Sequence, residues 1–226
     1  EQIPDLRRRW LHRKVANALS THSSLAHHHP AILAEHYEKS HDPSIAFQFW
    51  VLAAQHARRI HAVSNALDYF SQAEQQLKLA NDLTTRQIYE FYNEWSKMAF
   101  DVEKLELIKQ ISQTLLQLGY ERRSDLLIGA AHDVLSDAYM LERKNQEALE
   151  SNLLAQKFFD QTRDTQAIRQ MYNRRGFYHI LLNQFSEAKQ ALNAALQQPG
   201  DEKDPYYLRL LADTHNQLSL LWMFSG

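Results

Sequence analysis

Twelve histidines and no cysteine bound the chemistry open to this chain. His22, His27, His28, His29 and His36 crowd one polar stretch, and imidazole nitrogens suit zinc or nickel. No acid or Cys stands at ligand spacing beside them, and three adjacent histidines do not converge easily on one ion. A solvated loop is therefore the expected reading of residues 22–36, with metal binding left open. His56 and His61 are five apart with no Glu between them, which is not the His-Glu-x-x-His pattern of zinc proteases. Arg7, Arg8, Arg9, Arg13 and Lys14 could contact phosphates, but on a helix they form a polar face or a surface that docks on another module. The first glycine is Gly119, and no Gly-x4-Gly-Lys-Ser/Thr loop exists, so a backbone cradle for ATP phosphates is not expected. No Ser–His–Asp or paired-carboxylate arrangement stands out, and the acids are scattered as solvation would scatter them. Catalysis and a bound cofactor are not expected of this chain.

The elements that carry these residues read as helices. Five Val, five Gly and five Pro stand against abundant Leu, Ala, Gln and Glu, and no Pro falls between residues 44 and 198. Formal net charge is −2, so neither a nucleic-acid footprint nor a polybasic membrane anchor is present. No apolar run approaches the ~20 residues of a membrane span, and no signal peptide opens the chain. A cytoplasmic protein is expected, without direct contact to nucleic acid or membrane. The missing initiator Met and the stop at Ser225-Gly226 read as cuts within something longer.

Leu6, Trp10, Leu11, Val15, Ala18 and Leu19 recur at helical spacing and predict a first helix over about 5–20. Pro30 suits a first helical turn, and Asp42-Pro43 and Asp204-Pro205 repeat that start signal with Asp as N-cap. Tyr89 to Phe100 and Leu105 to Leu116 predict a further pair, looser than the rest, ended by Gly119-Tyr120. Two better pairs follow at 124–160 and 164–199, with turns at Asn145-Gln146-Glu147-Ala148 and Asn183 to Ala188. A final helix over about 205–224 leaves Leu218, Leu221, Trp222 and Met223 uncovered. Trp50, Phe70 and Tyr139 are the aromatics expected to cost most on truncation.

Three stretches share one template. Leu33-Ala34-x2-Tyr37 precedes Ala46, Trp50 and Ala53. Leu135-Ser136-x2-Tyr139 precedes Ala148, Asn152 and Ala155. Arg175-Gly176-x2-His179 precedes Ala188, Leu192 and Ala195, with Pro199-Gly200 as the stop. The pattern resembles the tetratricopeptide repeat over about residues 30–224. The resemblance implies an all-α, right-handed α-solenoid of about eleven antiparallel helices, in which residues 30–226 form repeats and end mid-repeat. Such pairs bury their apolar faces only by stacking. The helix near 43–59 completes one pair and opens the next, as a continuous stack requires.

The opening is similar to the junction in bacterial STAND-class signalling ATPases. Leu11-His12-Arg13-Lys14-Val15-Ala16 is similar to the close of a winged-helix part. Leu33-Ala34-Glu35-His36-Tyr37 with Asp42-Pro43-x-x-Ala46 is similar to the first repeat helices. Residues 1–22 would then be a helix ending an upstream winged-helix/ATPase module. The resemblance implies a ligand-sensing and protein-interaction arm of a signalling ATPase or transcription regulator, contacting that module within the parent chain. A free-standing adaptor that scaffolds other proteins is the alternative; an all-helical enzyme ranks below both.

In such repeats the first helix of each pair lines a concave groove. The positions carried over are Asp133, Asp137 and Met140, then Asn173, Arg174, Phe177 and Ile180, then Asp213, Asn216 and Leu220. A protein or peptide segment, cationic or mixed in charge, or a small inducer would suit this lining. Chaperone-binding repeats need Lys and Asn at set groove positions. Two of those hold Asp133 and Asp137 here, which disfavours an acidic tail.

Overall fold

A computed structural model describes residues 4–21 and 29–225. Among them run eleven α-helices and no strand: α1 (Asp5–Ser20), α2 (Pro30–Lys39), α3 (Pro43–Arg59), α4 (Val63–Leu79), α5 (Thr85–Asp101), α6 (Leu105–Arg122), α7 (Asp125–Leu141), α8 (Asn145–Thr162), α9 (Thr165–Leu181), α10 (Phe185–Leu196) and α11 (Pro205–Ser225). The chain divides into two compact units, residues 1–91 and 92–226, with the boundary inside α5. His22, His27 and His28 lie outside the described residues.

The helices are cut to length by one repeated turn. His41 and His61 in unit 1, and Glu103, Arg123, Arg143, Arg163 and Asn183 in unit 2, all have positive φ, and within each unit they recur every twenty residues. Around six of them the backbone closes the same two hydrogen bonds. The residue after the turn donates five back, as in Asp42 N to Tyr37 O, Lys104 N to Ala99 O and Lys144 N to Tyr139 O. The turn residue itself donates three back, as in Arg143 N to Met140 O. This is the Schellman closure, which satisfies orphan carbonyls at a helix end. Glycine is its usual centre, yet none of the seven is Gly. The tight stop leaves only two or three residues between helices, so successive helices run antiparallel and pack side by side.

In unit 1, α1 packs on α2, α2 on α3 and α3 on α4, so α3 serves two pairs. Ala46, Ala53, Ala54, Ala57, Ala66 and Ala73 are buried and let the backbones approach, while Trp50 and Phe70 fill the gaps. Phe47 and Phe70 meet the Phe91 ring at 5.2 and 6.1 Å. The apolar recurrence on α1 has no such burial: Ala16 is buried, but Leu6 is 79% and Trp10 56% exposed. The Asp42 side chain does not cap α3. It accepts from Ser40 and pairs with Arg13 at 3.1 Å instead.

In unit 2 consecutive helices pack from α6 to α11, and α9 also packs on α11. Short polar side chains stitch them: Ser112 Oγ donates to Ala131 O, Ser151 Oγ to His132 O, and Asn152 Nδ2 to Met171 O. Gly119-Tyr120 does not end the middle pair. Gly119 sits inside α6, which runs on to Arg122, because a Cβ there would lie 2.6 Å from Ile128 Cγ1 and 3.0 Å from Ile128 N. Glycine at 119 is a close-approach residue, not a stop. Asn145 to Ala148 likewise belong to α8, and the turn falls before them. Leu221 on α11 is covered by Ile180 and Ala188, with Leu218 packed beside it; Trp222 and Met223 are the exposed members of that face. Tyr139 is half-buried, packed on the Ala148–Leu149–Tyr178 cluster, whereas Phe70 is 0% exposed.

Candidate functional site

Four helices of unit 2 share the walls of one cavity of about 390 Å³. α5 supplies Lys97, Phe100 and Asp101; α7 supplies Asp137 and Met140. α9 supplies Gln170, Asn173, Arg174, Phe177 and Tyr178. Arg209, Leu210, Asp213, Asn216, Gln217 and Leu220 come from α11. Alternate helices line it because two twenty-residue steps return the chain to the same side. Residues forty apart therefore stand at matching positions: Lys97, Asp137, Phe177 and Gln217 make one row, and Phe100, Met140 and Leu220 belong to another.

Of the groove positions carried over from the sequence, Asp137, Met140, Asn173, Arg174, Phe177, Asp213, Asn216 and Leu220 line this cavity. Asp133 lies behind it, buried, and Ile180 turns to the core against Ala188 and Leu221. The lining residues differ in what they leave open. Arg174 donates to Asp133 O at 2.8 Å and pairs with Asp133 Oδ2 and Asp137 Oδ2, both at 2.9 Å. Asn173 is also engaged at both ends of its amide, donating to Leu210 O at 3.1 Å and accepting from Thr214 at 2.6 Å. It ties α9 to α11. Met140, Phe177, Asp213, Asn216 and Leu220 are partly or fully exposed toward the cavity.

Sequence reasoning missed Lys97, Phe100, Asp101, Gln170, Tyr178, Arg209, Leu210 and Gln217. A forty-residue step back from Asp137 and Met140 lands on Lys97 and Phe100, so the signal was present. Ala99 in the aromatic place, and Ile108 and Leu115 in the places of Ala148 and Ala155, hid it. Lys97 Nζ donates to Gln170 Oε1 at 3.2 Å, and Gln170 Nε2 reaches Asn93 Oδ1 at 3.1 Å and Asp133 Oδ2 at 3.4 Å.

The electrostatics of the floor follow from burial. Burial first, then Asp133, pushes Asp137 up to about 7, with Arg174 pulling the other way. Burial, with Arg174 and Arg209 nearby, brings Lys97 down to about 8, opposed by Asp133 and Asp137. Burial also pushes the Tyr178 hydroxyl up, and it shares a 2.8 Å hydrogen bond with Ser136 Oγ. A carboxylate and an amine poised near neutrality in one cleft mark a functional candidate. Their geometry suits charge recognition: Asp137 is locked to Arg174, and apolar platforms flank both.

The histidine candidates are placed elsewhere. His36 faces His12, Nδ1 to Nδ1 at 2.9 Å, and burial, followed by the His12 charge, lowers its pKa. His61 occupies a turn at φ 58° and His56 lies on α3. No group of three metal-ligating side chains occurs among the described residues. In the basic run, Arg8 and Arg9 pair with Asp5, and Lys14 lies 5.5 Å over the Trp10 ring.

No family model and no curated protein matches the chain. Solved structures do. The apo form of RapI superposes with a TM-score of 0.54 at 14% identity over 86% of this chain; the match spans 56% of RapI. MamA 41-end from Desulfovibrio magneticus RS-1 gives 0.52 at 10% identity, covering 87% of this chain and 98% of that one. BtubC (BKLC) from P. vanneervenii gives 0.54 at 14% identity, covering 96% and 84%. These are tetratricopeptide-like helical-repeat proteins, and the likeness shows that fold: an all-α repeat solenoid. No helix described here is long and apolar enough to cross a membrane.

Proposed function

We propose that this chain is a non-catalytic protein-interaction region whose unit 2 cavity holds a segment of a partner protein, a peptide or a small inducer. The observation that carries the reading is convergence. Positions chosen for their place in the repeat arrive, from α7, α9 and α11, on one cavity with apolar platforms and charges whose pKa values are displaced toward neutrality. Asp213, Asn216 and Leu220 are exposed at it and available to an occupant. A thermal-shift screen of peptides and small metabolites tests this, run in parallel on the wild type and on an Asn216→Ala/Leu220→Ala variant. Compounds that stabilise only the wild type support the cavity. Compounds that stabilise both equally, or none at all, contradict it.

The larger setting we propose is the sensor arm of a STAND-type signalling ATPase or regulator. The junction-like opening motivates it, and so does α1, whose Leu6, Trp10, Leu11 and Val15 leave an exposed apolar stripe for another module. A phosphate-binding loop encoded within a few hundred residues upstream of Glu1 supports the sensor arm. A start codon nearby supports the free-standing adaptor.

A further inference from the structure

The charged groups around the cavity are unequal in number. Four carboxylates belong to it: Asp101, Asp137 and Asp213 on its walls, with Asp133 directly behind Gln170 and Arg174. Against them stand three cations, Lys97, Arg174 and Arg209. The two terminal nitrogens of Arg174 are engaged by Asp133 and Asp137, and the Lys97 ammonium donates to Gln170. Even so, Asp133 Oδ1 is buried with no donor, and so is the amide oxygen of Gln217 on the wall. A buried acceptor without a donor is costly, and an occupant that supplies an N–H to Gln217, the one of the two on the wall, gains by relieving it. Asp213, on the exposed side of α11, makes no ion pair among the described residues.

Resting on the binding role given to this cavity above, we propose that its occupant is a peptide segment that presents an Arg or Lys side chain, flanked by apolar residues, to the Asp101–Asp213–Gln217 side of the groove. The added cation brings the charge balance to neutrality, and its N–H groups suit the acceptors. A carboxylate would double the formal excess of negative charge and leave the Gln217 oxygen unmet. Phe100, Met140, Phe177 and Leu220 form the platform for the flanking apolar residues. Arg209 stands one turn before Asp213 on α11, so it limits the cationic contact to a single side chain.

The test is a selection from a random twelve-residue peptide display library on the whole chain. Synthetic copies of the winners are then titrated against the wild type and two variants checked for folding by circular dichroism. Winners should carry Arg or Lys beside Leu, Phe or Met. They should bind Asp101→Asn/Asp213→Asn and Asn216→Ala/Leu220→Ala at least ten-fold more weakly. Acidic winners, or winners indifferent to Asp101→Asn/Asp213→Asn yet weakened by Asn216→Ala/Leu220→Ala, overturn the cationic occupant and leave the groove standing. Winners indifferent to both variants, or no winners, remove the groove reading and this inference with it.

Discussion

Arg174 on α9 and Asp137 on α7 are joined by a 2.9 Å ion pair, and the second terminal nitrogen of the same guanidinium holds Asp133 at 2.9 Å. One cation thus serves two buried carboxylates. Breaking a buried pair from one side is costly because it strands charge. Arg174→Met should lose about 3–5 kcal/mol in urea unfolding at pH 8. The loss should shrink at pH 5. Asp137 is already pushed up to about 7, so the folded state takes up a proton there that the unfolded state, near 3.8, does not. Its contribution is therefore most favourable at low pH and declines as pH rises through 7, more steeply once Arg174 is gone. A loss that does not change with pH would contradict the assignment.

Gly119 offers a second check. A Cβ at 119 would meet both the side chain and the backbone nitrogen of Ile128, so α6 and α7 would have to part. Gly119→Ala should destabilise by about 1–3 kcal/mol despite the better helix propensity of Ala. A stabilised variant would show that the helices can give at that point.

The left-handed turn residues predict the opposite sign. Glu103 and Arg143 hold φ of 53° and 61° without being glycine. Left-handed backbone is unfavourable for residues with a Cβ by roughly 1–2 kcal/mol, and Gly recovers part of it. Glu103→Gly and Arg143→Gly should each raise the unfolding free energy by about 0.5–1 kcal/mol. Unchanged or lower stability would mean that the side chains matter more than the turn.

Phe70 and Tyr139 are both aromatics of the repeat template, at different positions in it and with different burial. Phe70→Ala should cost about 3–5 kcal/mol, as for a well-packed core aromatic, and Tyr139→Ala clearly less. Equal losses would place Tyr139 back in the core.

The helix pairs were legible because their signal is local. Large, small and aromatic residues at i, i+1 and i+4 do not depend on distant partners, and the Schellman closures fall where that pattern ends, at Tyr37, Tyr139 and His179. Gly119 misled because glycine serves equally as a stop and as a contact, and only the position of Ile128 tells which. In the cavity, Asp213 and Leu220 followed from repeat position alone. The engagement of Asn173 with Leu210 and Thr214 did not, since it needs the spacing of α9 from α11. Lys97 was missed because a functional row can persist where the packing row has changed its residue types.

Methyl NMR of the chain with a selected peptide reports whether the unit 2 cavity is where the peptide sits. Met140, Leu210 and Leu220 line the cavity from two helices, while Leu6 and Val15 lie on α1 in the other unit. Saturating peptide should shift the Met140, Leu210 and Leu220 methyls together along one binding curve and leave Leu6 and Val15 in place. Shifts confined to α1, with the cavity methyls unmoved, would contradict the account.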